Sequence, residues 1–355
     1  MNSSDLDRLT IGLRERSDAT KGIEITLAVL IIIASFTGNI LVCWTIYRHK
    51  MLQKVPNYYV CALTVSDILG SCCVFPFVVG VSAKGTWPFS DASCQFQGYM
   101  SMWMAYASIL TITLTALNRF FKVIKPNLYP KYYTPKKTIA SLMAVWILAA
   151  FGALPHILRK GRKYIFHPGK MLCLFDLDKV SIVYSFAVTI IYFGIPSIVI
   201  VLCYWKIFVF ARKQNNVFKK KQATPGSATL NRSEINITRT LFAILVGFFA
   251  CYIQIAVIDL IETLYKQFSQ PRQVYVLYTF MAGLASCLNP IIYGILNPTF
   301  RKEFVKVLCL ERLGLKIDTI SSETENEQSA SHVANVRRII VQKLNQTVLT
   351  QENRQ

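Results

Sequence analysis

Charge is what this chain has least of. Only 16% of its 355 residues are Asp, Glu, Lys or Arg, against roughly a quarter in a soluble protein of this length. Histidine is scarcer still, with His49, His156, His167 and His332 scattered along the chain. No outward-facing cluster of His, Cys or carboxylates suits metal or nucleophile chemistry. No catalytic residue and no metal ligand is therefore assigned, and an enzyme is disfavoured. Residues 1–24 contain no apolar core, so no cleavable signal peptide is expected and the first apolar segment is left to do the targeting. Acids are few beside bases, 19 against 39, which leaves a formal net charge of +20. That excess does not point to nucleic acid, because the lysines and arginines fall between long apolar runs and form no polar stripe.

What the chain has in abundance is apolar length. Hydrophobic residues make up 53% of it, and mean hydropathy is positive at +0.38. A helix crosses the hydrocarbon core of a lipid bilayer with about 20 mostly apolar residues. Seven segments qualify: 25–47, 58–83, 98–117, 138–158, 180–205, 240–261 and 274–296. Barrel strands would alternate over ~10 residues and do not fit. The expectation is an all-α membrane protein, a seven-helix bundle whose termini lie on opposite sides.

Basic residues in short loops set the orientation. Arg48, Lys50 and Lys54 follow span one, and Lys122, Lys125, Lys131, Lys136 and Lys137 lie between spans three and four. Arg212, Lys213, Lys219, Lys220 and Lys221 precede span six, and Arg301, Lys302 and Lys306 follow span seven. Apart from "LRKGRKY" (158–164), the alternate loops are poorer. The N-terminus is expected outside and the C-terminus inside, in the cell membrane. Most of the ten cysteines lie within spans, but Cys94 and Cys173 lie at the outer mouth of span three and in the loop before span five. Both then face an oxidising compartment, where a bridge between them is expected.

Four regions follow: an outer tail (1–24), the seven-span domain (25–296), an amphipathic helix (297–310) and a disordered cytoplasmic tail (311–355). In "NPTFRKEFVKVLCL", Phe300, Phe304, Val305 and Leu308 share one face and Arg301, Lys302 and Lys306 the other, as on an anionic inner leaflet. Cys309 there is either palmitoylated or a free thiol. The tail "SSETENEQSASH" (321–332) is polar throughout.

Polar groups inside the spans carry the functional signal. Asp67 in "LTVSDILG" costs roughly 2.5–3.5 kcal/mol at mid-membrane, and Asn39 and Asn289 cost less. They make either three separate interhelical hydrogen bonds or one shared pocket for an ion or water network; Asp67, hard to leave unpaired, favours the pocket. Pro76, Pro155, Pro196 and Pro290 each remove a helix hydrogen bond. Asn289, Pro290 and Tyr293 together suggest a helix built to change shape.

These landmarks, in this order, resemble the rhodopsin-like family of G-protein-coupled receptors over residues ~25–310. The residues carrying the likeness are Asn39 in "GN", Asp67, Trp87 before Cys94, the Cys94/Cys173 pair, Arg119, Pro126, Trp146, Pro196 with Tyr204, Phe248 with Cys251, and "NPIIY" at 289–293. Within the family, "NRF" (118–120) and "SCLNPIIYGILNPTFRKEF" are most similar to melatonin receptors. The resemblance implies an extracellular ligand and a heterotrimeric G protein whose C-terminal helix enters a cavity faced by Arg119, Tyr204 and Tyr293. It implies a connector of Ile109, Pro196 and Phe248, and a sodium and water pocket of Asn39, Asp67, Ser108, Ser286 and Asn289. Sodium near Asp67 is the only ion it suggests. The chain departs from the family at Asn118, where an acid is usual, and at Phe120, Tyr252, Gln254 and Ala285.

The resemblance also narrows the ligand. Amine receptors use an aspartate where this chain has Ser101. Opsins need a lysine where Gly283 stands, so covalent retinal is excluded. Melatonin receptors place a histidine where Tyr192 stands, which leaves melatonin without support. The pocket expected is edged by Ser101, Met102, Ala105, Thr189, Tyr192, Tyr252, Ile255, Asp259 and Thr279. Asp259 and Glu262 face the same way. They meet a cationic ligand or peptide, or they pair with Arg159, Lys160, Arg162 or Lys163, the commoner fate of exposed charges. A transporter or channel is the alternative, but neither repeat symmetry nor a charged ion pathway is visible.

Three further expectations concern partners. Asn2 in "NSS" is the sequon placed outside. Ser321, Ser322, Thr324, Ser329 and Ser331 would be phosphorylated by a receptor kinase and recruit arrestin. Arg119, lacking its usual acidic neighbour, would form a partly exposed pair with Glu234 at rest.

Overall fold

The computed structural model describes residues 3–154, 164–175, 182–220, 232–265 and 268–307. Among them seven helices are long and apolar enough to cross a membrane, one for each apolar segment. Span one is α2 (Asp18–Arg48), preceded by a short helix α1 (Ser3–Arg14). Span two is α3 (Val55–Cys73) continued by α4 (Phe75–Lys84), and span three is α5 (Asp91–Ile124). A single turn, α6 (Tyr129–Tyr132), leads to span four, α7 (Pro135–Ala153). Span five joins α8 (Ile182–Thr189) through a π turn (Ile190–Gly194) to α9 (Ile195–Lys220). Spans six and seven are α10 (Arg232–Tyr265) and α11 (Arg272–Leu296), and a short eighth helix, α12 (Pro298–Val307), follows.

Several helices outrun their apolar segments because polar caps carry them further. Ser17 Oγ accepts from Thr20 N at 3.2 Å at the head of span one, and Ser90 Oγ accepts from Ser93 N at 3.2 Å at the head of span three. Each satisfies an amide that the first helical turn cannot. The prolines act differently from one another. Pro76 follows a break at Val74 that splits span two, and Pro196 follows the π turn of span five. Pro290 lies inside an unbroken α11. Pro155 lies outside the described residues.

The bundle turns large apolar side chains outward as well as inward. Trp44, Ile147, Phe151, Ile198, Trp205 and Ile291 are all exposed, which suits a lipid surround and not water. Span three is the axis: Cys94, Gln97, Met104, Ile109, Thr115, Asn118 and Arg119 along it are buried. Span four is pinned to it by Trp146 Nε1, which donates to Thr111 Oγ1 at 3.2 Å, and by Trp103 Nε1, which donates to the Trp146 carbonyl at 3.1 Å. Spans one and seven approach closely at Gly38, where a Cβ would stand 2.7 Å from Pro290 Cγ.

Two elements depart from expectation. Within the segment expected to be a plain tail, α1 buries Leu9 and Leu13, and Arg8 Nη2 donates to the carbonyls of Phe268 (2.7 Å) and Gln270 (3.3 Å). Leu6, Leu9 and Leu13 recur at helical spacing, which is the physical reason this segment folds. The loop before span five contains a hairpin of β1 (Tyr164–His167) and β2 (Leu172–Phe175), with Tyr164 opposite Phe175 and His167 opposite Leu172. At the other end of the bundle, α12 buries Phe300 against the Tyr293 ring at 5.1 Å.

Candidate functional site

A cavity of about 270 Å³ opens inside the hairpin end of the bundle. All nine residues expected to edge a pocket line it: Ser101, Met102 and Ala105 from span three, Thr189 and Tyr192 from span five, Tyr252, Ile255 and Asp259 from span six, and Thr279 from span seven. The lining is mostly apolar and aromatic. Tyr192 is buried, stacks on Tyr106 at 4.4 Å and spends its hydroxyl on the Leu148 carbonyl at 2.9 Å. At its floor the cavity reaches Asp67, Ser108 and Ser286.

The hairpin forms the roof. A Cys94–Cys173 disulfide, with Cα atoms 5.5 Å apart, ties it to span three. Two glutamines that sequence reasoning passed over complete the attachment. Gln97 Oε1 accepts from Cys173 N at 2.7 Å, while Gln95 accepts from Tyr164 N at 3.0 Å and donates to its carbonyl at 2.8 Å.

The turn between the strands drives Lys170 into the bundle. Its Nζ lies 3.0 Å from Asp259 Oδ1 and 2.7 Å from Glu262 Oε2, with the lysine side chain only 1% exposed. The acid pair thus has a cationic partner from the loop in Lys170; Arg159, Lys160, Arg162 and Lys163, the partners expected, lie outside the described residues. Burial opposes the ammonium charge, yet the two carboxylates outweigh it and hold Lys170 above its ordinary value of 10.5. His167 moves the other way. Burial and the Lys170 charge hold its ring well below the usual 6.5, so it stays neutral. Its Nδ1 accepts from Lys170 N at 3.1 Å. The 3.8 Å separation of His167 Nε2 and Glu262 Oε1 is therefore neither a hydrogen bond nor an ion pair.

A second ionic cluster ties the link after α1 to spans one, two and seven. Buried Glu24 accepts from Arg16 Nη1 and, through both oxygens, from Arg272 Nη2 at 2.7 and 2.8 Å. Arg16 Nη2 also donates to the Ser82 carbonyl at 2.8 Å.

Below the cavity, the polar residues of the spans meet in one network. Asn289 Nδ2 donates to Asp67 Oδ2 at 2.7 Å, and Asn39 Nδ2 donates to the carbonyls of Ser286 (3.0 Å) and Ser35 (2.8 Å). Ser71, which the sequence did not single out, donates to the Asp67 carbonyl at 2.8 Å, and Ser66 pairs with Ser108 at 2.8 Å. Asn39 Oδ1 is buried with no hydrogen-bond partner among the described residues.

At the far end Arg119 is fully buried, not partly exposed. Asn118 Oδ1 accepts from its Nε at 3.2 Å and its Nη2 at 2.6 Å, and Asn118 Nδ2 in turn meets the Tyr129 hydroxyl at 3.1 Å. The side chain of Glu234 lies outside the described residues, and so does the pairing expected of it. Ile109, Phe248 and Tyr204 share one apolar cluster, with Pro196 buried on the same helix as Tyr204. Tyr293 belongs to another cluster, with Leu241, Ile244 and Phe300. Asn2, Cys309 and the tail serines and threonine lie outside the described residues.

Seven spans around a roofed cavity, with a polar core and a buried arginine below it, define a membrane receptor. Residues 38–293 match the model of the 7 transmembrane receptor (rhodopsin family), and the chain belongs to that family. It is a multi-pass membrane protein and a G-protein-coupled receptor, not an enzyme, and a transporter or channel is not favoured. Curated relatives are receptors as well. Melatonin receptor type 1C of Xenopus laevis is 29% identical over 346 residues, covering 93% of this chain and 80% of its own length. Melatonin receptor type 1B-B of Danio rerio is 26% identical over 312 residues (86% and 88%), and melatonin receptor type 1A of Ovis aries is 27% identical over 300 residues (84% and 80%).

Proposed function

We propose that the hairpin-side cavity is the ligand site and that its occupant acts on a G protein through the polar network and Arg119. The observation that carries this reading is the continuity of one cavity from Lys170 and Asp259 at its roof to Asp67, Ser108 and Ser286 at its floor. A ligand there touches spans three, five, six and seven at once, so it can bind one arrangement of them better than another. Such differential affinity is all that a ligand-driven switch requires. The relatives are named for melatonin, but Tyr192 supplies a phenol already committed to Leu148, so the cavity is assigned to another small molecule.

The hairpin end faces the outside and the Arg119 end the cytoplasm. The supports are the basic loops at the Arg119 end and the disulfide at the opposite end. The oxygens of Asp67, Ser108 and Ser286, with the unpartnered Asn39 Oδ1, form a hard donor set suited to a sodium ion. When bound, that ion would neutralise the carboxylate charge in the bundle core. Phosphorylation of the tail at Ser321, Ser322, Thr324, Ser329 and Ser331 by a receptor kinase would recruit arrestin, each phosphate adding nearly two negative charges. Asn2 is assigned a glycan and Cys309 a palmitoyl chain.

The test is guanine-nucleotide exchange on purified G proteins, screened with small molecules in reconstituted receptor. Ala105→Trp, which fills the cavity, should abolish the response to any activator found while leaving surface expression unchanged. A full response from that variant would remove the ligand from this cavity.

A further inference from the structure

Lys170 is the only lysine that is buried among the described residues, and what surrounds it is a complete ammonium site. Carboxylate oxygens of Asp259 and Glu262 lie 3.0 and 2.7 Å from Nζ. The ring of Tyr278 stands 4.3 Å from it and that of Tyr275 5.7 Å, within reach of cation–π attraction. Tyr278 also donates its hydroxyl to the other Asp259 oxygen at 3.1 Å, fixing the carboxylate. None of these groups belongs to the hairpin. They come from spans six and seven, and together they would receive any ammonium that reached them.

The site is not used up by its lysine. Two carboxylates face one ammonium, and the neighbouring His167 ring is held neutral. Glu262 Oε1 is buried without a hydrogen-bond partner among the described residues, and the Asp259 side chain is 48% exposed in the wall of the cavity. Two acids share one ammonium, and one buried acceptor oxygen is left over. An anionic ligand would meet both acids, and a neutral one without a donor would leave that acceptor against an apolar lining.

We propose that Asp259, Glu262, Tyr275 and Tyr278 form an ammonium-binding subsite of the cavity, filled in the free receptor by the chain's own Lys170 and suited to a ligand carrying a primary alkylammonium group. The assignment deepens the reading of the cavity as the ligand site and rests on it. Lys170 acts as a tethered occupant, present at the high effective concentration that a short loop confers, and an external cation competes with it.

Melting curves of purified receptor read the subsite apart from signalling. Lys170→Ala should melt below the parent, because buried Glu262 and half-exposed Asp259 lose their counter-charge. Millimolar n-butylammonium should restore its melting temperature saturably, while n-butanol should not. The parent, with its tether in place, should barely respond. Lys170→Arg should melt like the parent, and Lys170→Ala combined with Asp259→Asn and Glu262→Gln should lose the response to n-butylammonium. If Lys170→Ala does not fold alone, recovery of folded receptor only when n-butylammonium is present during expression supports the same site. No stabilisation by n-butylammonium, an equal effect of n-butanol, or an equal shift in the parent overturns the proposal. A cavity that binds its activator elsewhere would instead show in the exchange assay with the melting pattern intact.

Discussion

Arg119 and Asn118, neighbours in sequence, hold each other inside the bundle: one amide oxygen accepts from both the Nε and the Nη2 of the guanidinium, at 3.2 and 2.6 Å. A carboxylate would bind that fork with charge as well as geometry, and an amide binds it with geometry alone. The hold is correspondingly weaker, and the Tyr129 hydroxyl steadies the amide from its other side.

Resting control should therefore be adjustable from position 118. Asn118→Asp should lower basal nucleotide exchange. Tyr129→Phe, which removes the outer hydrogen bond of a net ~1 kcal/mol, should raise it by up to about fivefold. Basal exchange unchanged in both variants would disconnect the trio from the switch.

The disulfide closes a sequence separation of 79 residues and fastens the roof to span three. Cys94→Ala with Cys173→Ala should cost about 2–4 kcal/mol of stability and weaken the response to any cavity activator. A double variant that melts and responds like the parent would make the hairpin self-sufficient.

Gly38 is needed for the approach of spans one and seven. A Cβ there would meet the rigid Pro290 ring at 2.7 Å, so Gly38→Ala should lose roughly 1–3 kcal/mol through overpacking. Gly22→Ala is the control, since a Cβ there meets nothing within 4 Å. Equal melting temperatures for the two variants would contradict the packing.

The roof should make stability sensitive to acid. His167 binds a proton less readily folded than unfolded, so its contribution is complete above 6.5 and is lost as pH falls below that value. Lys170 has the opposite sign: its contribution is complete below 10.5 and is lost only as pH rises through its higher folded value. Between pH ~7.5 and ~5 the loss at His167 should lower the parent's melting temperature relative to a variant without the imidazole. In His167→Asn, which keeps an acceptor for Lys170 N, the fall should be shallower. Parallel curves would assign the acid sensitivity to other groups.

Much of the fold could be read in advance because lipid imposes a simple demand: each crossing needs about 20 apolar residues. Asp67, Asn39 and Asn289 stood out for the same reason, since a polar group in such a run calls for a neighbour. The roof was harder to see. "YIFHPGKMLCLF" (164–175) has a Pro-Gly turn between two short apolar runs, a hairpin signal. Lys170 is a single lysine close after the four basic residues of 158–164. Its role depends on a tertiary approach, with Gly169 letting the turn lie against Tyr275, where a Cβ would stand 2.7 Å from the ring. Gln95 and Gln97 carry no pattern at all; only the fold aims them at the strand amides.

The most direct test is nucleotide exchange on purified heterotrimeric G protein by reconstituted receptor, parent against Arg119→Ala at matched receptor amounts. The parent should accelerate exchange and Arg119→Ala should not. Equal exchange by the two would leave Arg119 a structural residue and contradict its place at the end of the path from the cavity.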